Sequence, residues 1–170
     1  MKKGKTNSRQ SEKLLEKVSS KNQSLPKSGS EKPEKQFGSK VLVPLLSKRE
    51  AEPAFIEAIA SKAHEIILLL VIDTNAMSGE FGFATNEIAV GNALMQKIKA
   101  TIGKKRKTCN DIIEWGDTAT KLEHMAQLHN VDRICLVKQE NHFYKSLVKD
   151  MKEKLKGTEI DEISLHGWEE

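Results

Sequence analysis

The chain has 170 residues, room for one domain with a full core but not for two independent ones. Net charge is +4, yet it is unevenly placed: residues 1–40 hold ten Lys and one Arg against four Glu, net +7, and the remainder holds seventeen basic against twenty acidic residues, net −3. Two cysteines, Cys109 and Cys135, outside any CxxC or Cys/His cluster, exclude a disulfide scaffold and a zinc ribbon and point to a reducing cytoplasm. The longest apolar run, Ile66 to Ile72, is far shorter than the roughly 20 residues of a membrane span, and no apolar signal region follows the first charges, so export and membrane insertion are not expected.

Residues 1–38 are dominated by Lys, Ser, Glu, Gln, Pro and Gly, with too few large apolar side chains to offset the entropy of ordering, and read as a disordered basic arm. Leu14, Leu15 and Val18 could form one face of a transient helical turn within it. Residues 39–168 read as one α/β domain. Val41 to Leu46 is a short apolar run suited to a strand buried on both faces. Pro53 suits a first helical turn, and Ile56, Ile59, Ala60 and Ala63 follow at helical spacing. Ile66 to Ile72 is a second buried strand. The Gly-, Ser- and Asn-rich stretch Asp73 to Asn86 reads as a loop, in which Met77, Gly79, Phe81, Gly82 and Phe83 supply hinges and apolar side chains. Asn86 is positioned to cap a helix with Leu94, Met95, Ile98 and Ile102 inward.

Gly103 ends that helix, Lys104 to Lys107 form a basic turn, and Thr108 to Trp115 read as a third strand. After a tight turn at Gly116, Thr118 caps a helix bearing Leu122, Met125, Ala126 and His129 on one side, and Arg133 to Val137 form a fourth strand. Tyr144, Leu147, Val148, Met151 and Leu155 mark a last helix, which leads through Gly157 to a final strand, Glu159 to Leu165. The order βαβαβαβαβ with short links requires right-handed crossovers and an open five-stranded parallel sheet covered on both faces, an α/β/α sandwich.

From Val41 to Leu165 the chain resembles the universal stress proteins of the adenine-nucleotide α-hydrolase-like superfamily. Val41-Leu42-Val43-Pro44 is similar to that family's first strand, and Leu70-Val71-Ile72-Asp73 to its second. Trp115-Gly116-Asp117 is similar to its third strand and turn, and Val131 to Val137 to its fourth strand. The resemblance implies a 3-2-1-4-5 sheet order, stress-response regulation and a possible homodimer through the last strand. Periodicity alone leaves a 2-1-3-4-5 order open. ATP-binding members carry an Asp soon after the first strand, where this chain has Leu45-Leu46-Ser47. They also carry a Gly-x2-Gly-x9-Gly-Ser/Thr segment after the fourth, where it has Lys138 to Tyr144 without a glycine. A phosphate cradle needs backbone N–H groups gathered in turns that side-chain-bearing residues resist, so no cofactor is expected and the reading is a non-enzymatic regulatory or binding domain, with an ATP- or AMP-binding universal stress protein as the disfavoured alternative.

Any ligand in such a sheet lies beyond the carboxyl ends of the strands at the switch between the first and fourth. The candidate crevice residues are Pro44, Leu45, Leu46, Ile72, Asp73, Gly116, Val137, Lys138, Asn141 and His142. His124 and His129 are spaced i, i+5, wrong for a helical metal pair, and no Gly-x-Ser-x-Gly elbow exists, so neither a metal nor a catalytic residue is expected. The basic arm with Lys104, Lys105, Arg106 and Lys107 is the candidate for weak, sequence-indifferent nucleic-acid binding, because clustered cations displace phosphate counterions without a fixed fold. The alternative for both is a solubilising surface. Asp161 and Glu162 make the final strand charged for a dimer edge, and the identity of any protein partner is open.

Overall fold

The computed structural model describes residues 40–73 and 83–166. These belong to one unit, Gln36–Glu170, and the other unit, Met1–Lys35, lies outside the described residues. The arm, its Leu14, Leu15 and Val18 face, and Met77, Gly79, Phe81 and Gly82 of the long loop therefore also lie outside them.

Five principal strands alternate with four helices: β1 (Lys40–Pro44), α1 (Pro53–Lys62), β2 (Glu65–Asp73), α2 (Ile88–Gly103), β3 (Thr108–Trp115), α3 (Thr118–Leu128), β4 (Arg133–Val137), α4 (His142–Lys154) and β5 (Glu159–Ile163). All pair in parallel in the order 3-2-1-4-5, which decides against 2-1-3-4-5. Ile66 to Ile72 of β2 is buried throughout, because both faces of the central strands are covered. One face packs on α1 and α2 through Phe55, Ile59, Met95, Ile98 and Ile102; the other packs on α3 and α4 through Leu122, Met125, Tyr144, Leu147 and Met151.

Several local expectations shift. Strand pairing of β1 stops at Pro44, although Leu45 and Leu46 remain buried, one on each face of the sheet. The second helix starts at Ile88 after a single 3-10 turn, Thr85–Glu87, so Asn86 is not its cap. Its buried stripe runs through Gly91 rather than Leu94, because a Cβ at Gly91 would lie 2.8 and 2.9 Å from the Leu70 methyls. Asp117, not Thr118, caps α3: its Oδ2 accepts from Thr120 N at 2.8 Å, a geometry the short carboxylate reaches from outside the helix. His129 lies one residue past α3 and half-buried, off the buried stripe. The final strand stops at Ile163, where its pairing to Val137 ends.

One element was not legible as a strand. Phe83–Ala84 pairs with Ile72 and Asp73. Ile72 already faces Trp115 of β3, so the fragment must take the other side of β2. It thereby occupies the edge of β2 beyond the point where β1, in register to Pro44–Leu69, has ended. Phe83 is buried there in the α1/α2 core.

Candidate functional site

The sheet order places β1 beside β4 with their connections leaving to opposite faces, so the switch point at which ligands of such sheets bind, the candidate crevice, lies at their carboxyl ends. Pro44, Leu45 and Leu46 stand at the carboxyl end of β1, and Val137 and Lys138 at that of β4; of these only Lys138 is exposed. Ile72 and Asp73 lie on β2, next along the sheet. Gly116 follows β3, on the far side of β2, and therefore stands outside the β1/β4 crevice. Its backbone N–H donates to Ile72 O at 3.1 Å, and its φ of +134° explains why glycine is required for that turn.

The β1 side contains a residue that sequence reasoning passed over. Glu50 is buried at 1% exposure. Its carboxylate accepts from Leu46 N at 3.2 Å, Ser47 N at 3.0 Å and Ser47 Oγ at 2.9 Å, while Ser47 Oγ accepts from Arg49 N at 3.2 Å. Ser47-Lys48-Arg49-Glu50 thus follows the S-x-x-E pattern of a capping box, the signal that could have revealed it. Burial pushes the Glu50 carboxyl up to about 7, against the opposing effect of these hydrogen bonds. Chemically, the two backbone N–H groups that an incoming anion could use after β1 are already satisfied by the chain's own carboxylate.

On the β4 side only Lys138, Gln139, Glu140 and Asn141 separate β4 from α4. Lys138 N is tied to Ile163 O at 2.9 Å, and Glu140 pairs with Lys145. Asn141 caps α4, Oδ1 accepting from Tyr144 N at 2.8 Å. With its oxygen so committed, the amide presents Nδ2, which donates to Gln139 Oε1 at 2.8 Å. That orientation turns Gln139 Nε2 inward, buried and without an acceptor among the described residues. His142 opens α4 and is exposed, its ring edge-on to Phe143 with centroids 6.3 Å apart.

Behind the loop, Tyr144 Oη donates to Glu162 Oε1 at 3.1 Å, and Lys152 Nζ binds the other oxygen. Burial and the Glu162 charge raise the phenol above its ordinary range. Cys135 is pushed up to about 12 and Cys109 to about 11, mainly by burial, which keeps both as inert thiols at neutral pH. They sit on strands separated by β1 and β2. Among the described residues no group of three or more His, Cys, Asp or Glu could hold a metal ion, and no helix is long and apolar enough to cross a membrane.

Lys104, Lys105, Arg106 and Lys107 lie at the opposite end of the sheet, in the α2–β3 turn, remote from the crevice.

No protein-family model matches the chain. No curated protein matches it either. Solved structures do. The hypothetical protein MJ0577 aligns with a TM-score of 0.53 and 21% identity, over 78% of this chain and 99% of its own. A universal stress protein family protein from Burkholderia pseudomallei aligns at 0.53 and 17% identity, over 77% and 98%. A universal stress protein family protein from Arabidopsis thaliana, solved with AMP bound, aligns at 0.52 and 14% identity, over 76% and 93%. With its 3-2-1-4-5 parallel sheet, this chain has the fold of the universal stress proteins.

Proposed function

We propose that the chain is a member of the universal stress protein family acting as a non-enzymatic binding and regulatory domain in the cytoplasm, with a crevice that does not hold ATP tightly. The observation that carries this reading is the four-residue, glycine-free connection Lys138 to Asn141. Its last residue is spent on capping α4, and Lys138 N is already bonded to β5. A triphosphate needs several convergent N–H groups, and here those of Leu46, Ser47, Lys138 and Tyr144 already have partners. Leu45 and Leu46 are themselves buried in the two core layers, so the β1 side offers an adenine nucleotide neither a free N–H cradle nor a charged side chain at these positions.

The Arabidopsis neighbour was solved with AMP, so an adenine nucleotide is the competing ligand. Calorimetric titration of the full chain with ATP and AMP, with and without Mg²⁺, separates the two. Millimolar or weaker ATP affinity is expected. Micromolar affinity that disappears on altering Lys138 or Asn141 would overturn the reading.

A homodimer through the outer edge of β5 belongs to this proposal. Asp161 is bound by Lys62 and Arg133, and Glu162 by Tyr144 and Lys152, so the charges of this strand are neutralised within one copy. Sedimentation of the full chain is expected to show a dimer, and a monomer at all concentrations would remove that part of the proposal.

A further inference from the structure

The two ends of the sheet differ in charge. Lys40, Glu65 and Thr108 stand in register across β1, β2 and β3, and Arg133 and Glu159 across β4 and β5, so all the helix-to-strand turns meet at one end. Counted from the last helical to the first strand residue, these turns together with Lys40 hold nine Lys and Arg against three Asp and Glu, net +6. The strand-to-helix connections at the other end hold, among the described residues, three basic against six acidic residues, net −3.

Intrachain pairing neutralises part of the basic end. Lys40, Lys62, Lys105, Lys154 and Arg133 each have a carboxylate partner. Lys104, Arg106, Lys107 and Lys156 have none among the described residues. Three of these four project from one turn whose shape is fixed: Arg106 adopts φ +58°, its N–H donates to Gly103 O at 3.1 Å, and Thr108 N donates to His64 O at 3.2 Å. Lys156 stands before β5, at the other edge of the sheet. Five strands at about 4.8 Å spacing separate the edges by roughly 19 Å, several phosphate intervals of about 3.4 Å along one nucleic-acid strand.

We infer that this basic end is a docking surface for the phosphate backbone of nucleic acid. The recognition is electrostatic and indifferent to sequence, because the exposed Trp115 and Phe143 both lie at the opposite end and leave no exposed Phe, Tyr or Trp here, among the described residues, to stack on bases. A lipid surface fits less well: Leu128 is the one large exposed apolar side chain here among the described residues, too little for insertion.

The test is fluorescence anisotropy of the full chain with a short mixed-sequence duplex DNA and a single-stranded RNA across a salt series. Replacing Lys104→Gln, Arg106→Gln and Lys107→Gln together is expected to lower the slope of log K against log salt by about three and to weaken binding at least about tenfold at low salt. The matched triple Lys48→Gln, Lys145→Gln and Lys149→Gln, away from this end, is expected to leave the slope unchanged. If the first triple fails to fold, Lys104→Gln with Lys156→Gln, on separate turns, is expected to lower the slope by about two. Unaltered affinity and slope in the basic-turn variants, which would assign binding to the N-terminal segment alone, overturns the inference. So does absence of binding by the parent at low salt, or retention on anionic vesicles in preference to either nucleic acid.

Discussion

Asn141 and Gln139 are locked to each other across the β4–α4 turn: the asparagine that caps α4 donates through Nδ2 to Gln139 Oε1 at 2.8 Å and leaves the glutamine's own N–H₂ group buried without an acceptor among the described residues. A residue spent on starting a helix also fixes which way its neighbour's amide is turned. Asn141→Ala removes the cap and is expected to cost about 1 kcal/mol, while Asn141→Asp, which keeps an acceptor at the same place, restores most of it. Urea unfolding of the two variants checks this. Equal losses would show that the cap is not what holds the turn.

Gln139→Leu removes the unpaired amide. Because a buried donor without an acceptor costs about 1–3 kcal/mol, this variant is expected to match or exceed the parent in thermal stability. A clear drop in melting temperature would mean that the amide is satisfied in solution.

Glu50 makes the stability of the domain pH-dependent. Its carboxyl ionises near 4.5 when unfolded and near 7 when folded. Between these values the unfolded chain has released a proton that the folded chain keeps. The stability this gives is fully present below about pH 4.5 and is lost as pH rises through about 7, a difference of about 3 kcal/mol. Denaturation of the parent between pH 5 and 8 should show this slope, and Glu50→Gln should flatten that portion of it. An identical pH profile in Glu50→Gln would refute the assignment.

Two glycines on one helix should respond with opposite sign. At Gly91 an added Cβ would sit 2.8 and 2.9 Å from the methyls of fully buried Leu70 and 3.3 Å from the Phe83 ring. Overpacking there costs about 1–3 kcal/mol, more than the gain of up to about 1 kcal/mol in helix propensity, so Gly91→Ala is expected to destabilise. Gly103 has nothing within 4 Å of an added Cβ and no left-handed backbone. Gly103→Ala is expected to stabilise by about 0.4–1 kcal/mol. Melting temperatures moving in the same direction would contradict the packing argument.

The strands and helices were legible because each carries its own periodicity: β2 is an unbroken apolar run, and Tyr144, Leu147, Val148 and Met151 recur at helical spacing. Their order along the chain called for parallel pairing. The absence of glycine between β4 and α4 was also plain from the residues themselves, since the φ/ψ freedom of a loop is a local property.

Which strands become neighbours is not local, because 3-2-1-4-5 and 2-1-3-4-5 share one alternating pattern; only packing decided between them. That choice set Gly116 on the far side of β2 from β1 and β4, whereas the meeting of the basic turns at one end follows from parallel pairing in either order. The burial of Glu50 and the orphaned amide of Gln139 depend on which groups surround a side chain in space. Linear sequence records the presence of a carboxylate or an amide, whereas its solvation and its partners exist only once distant segments have closed around it.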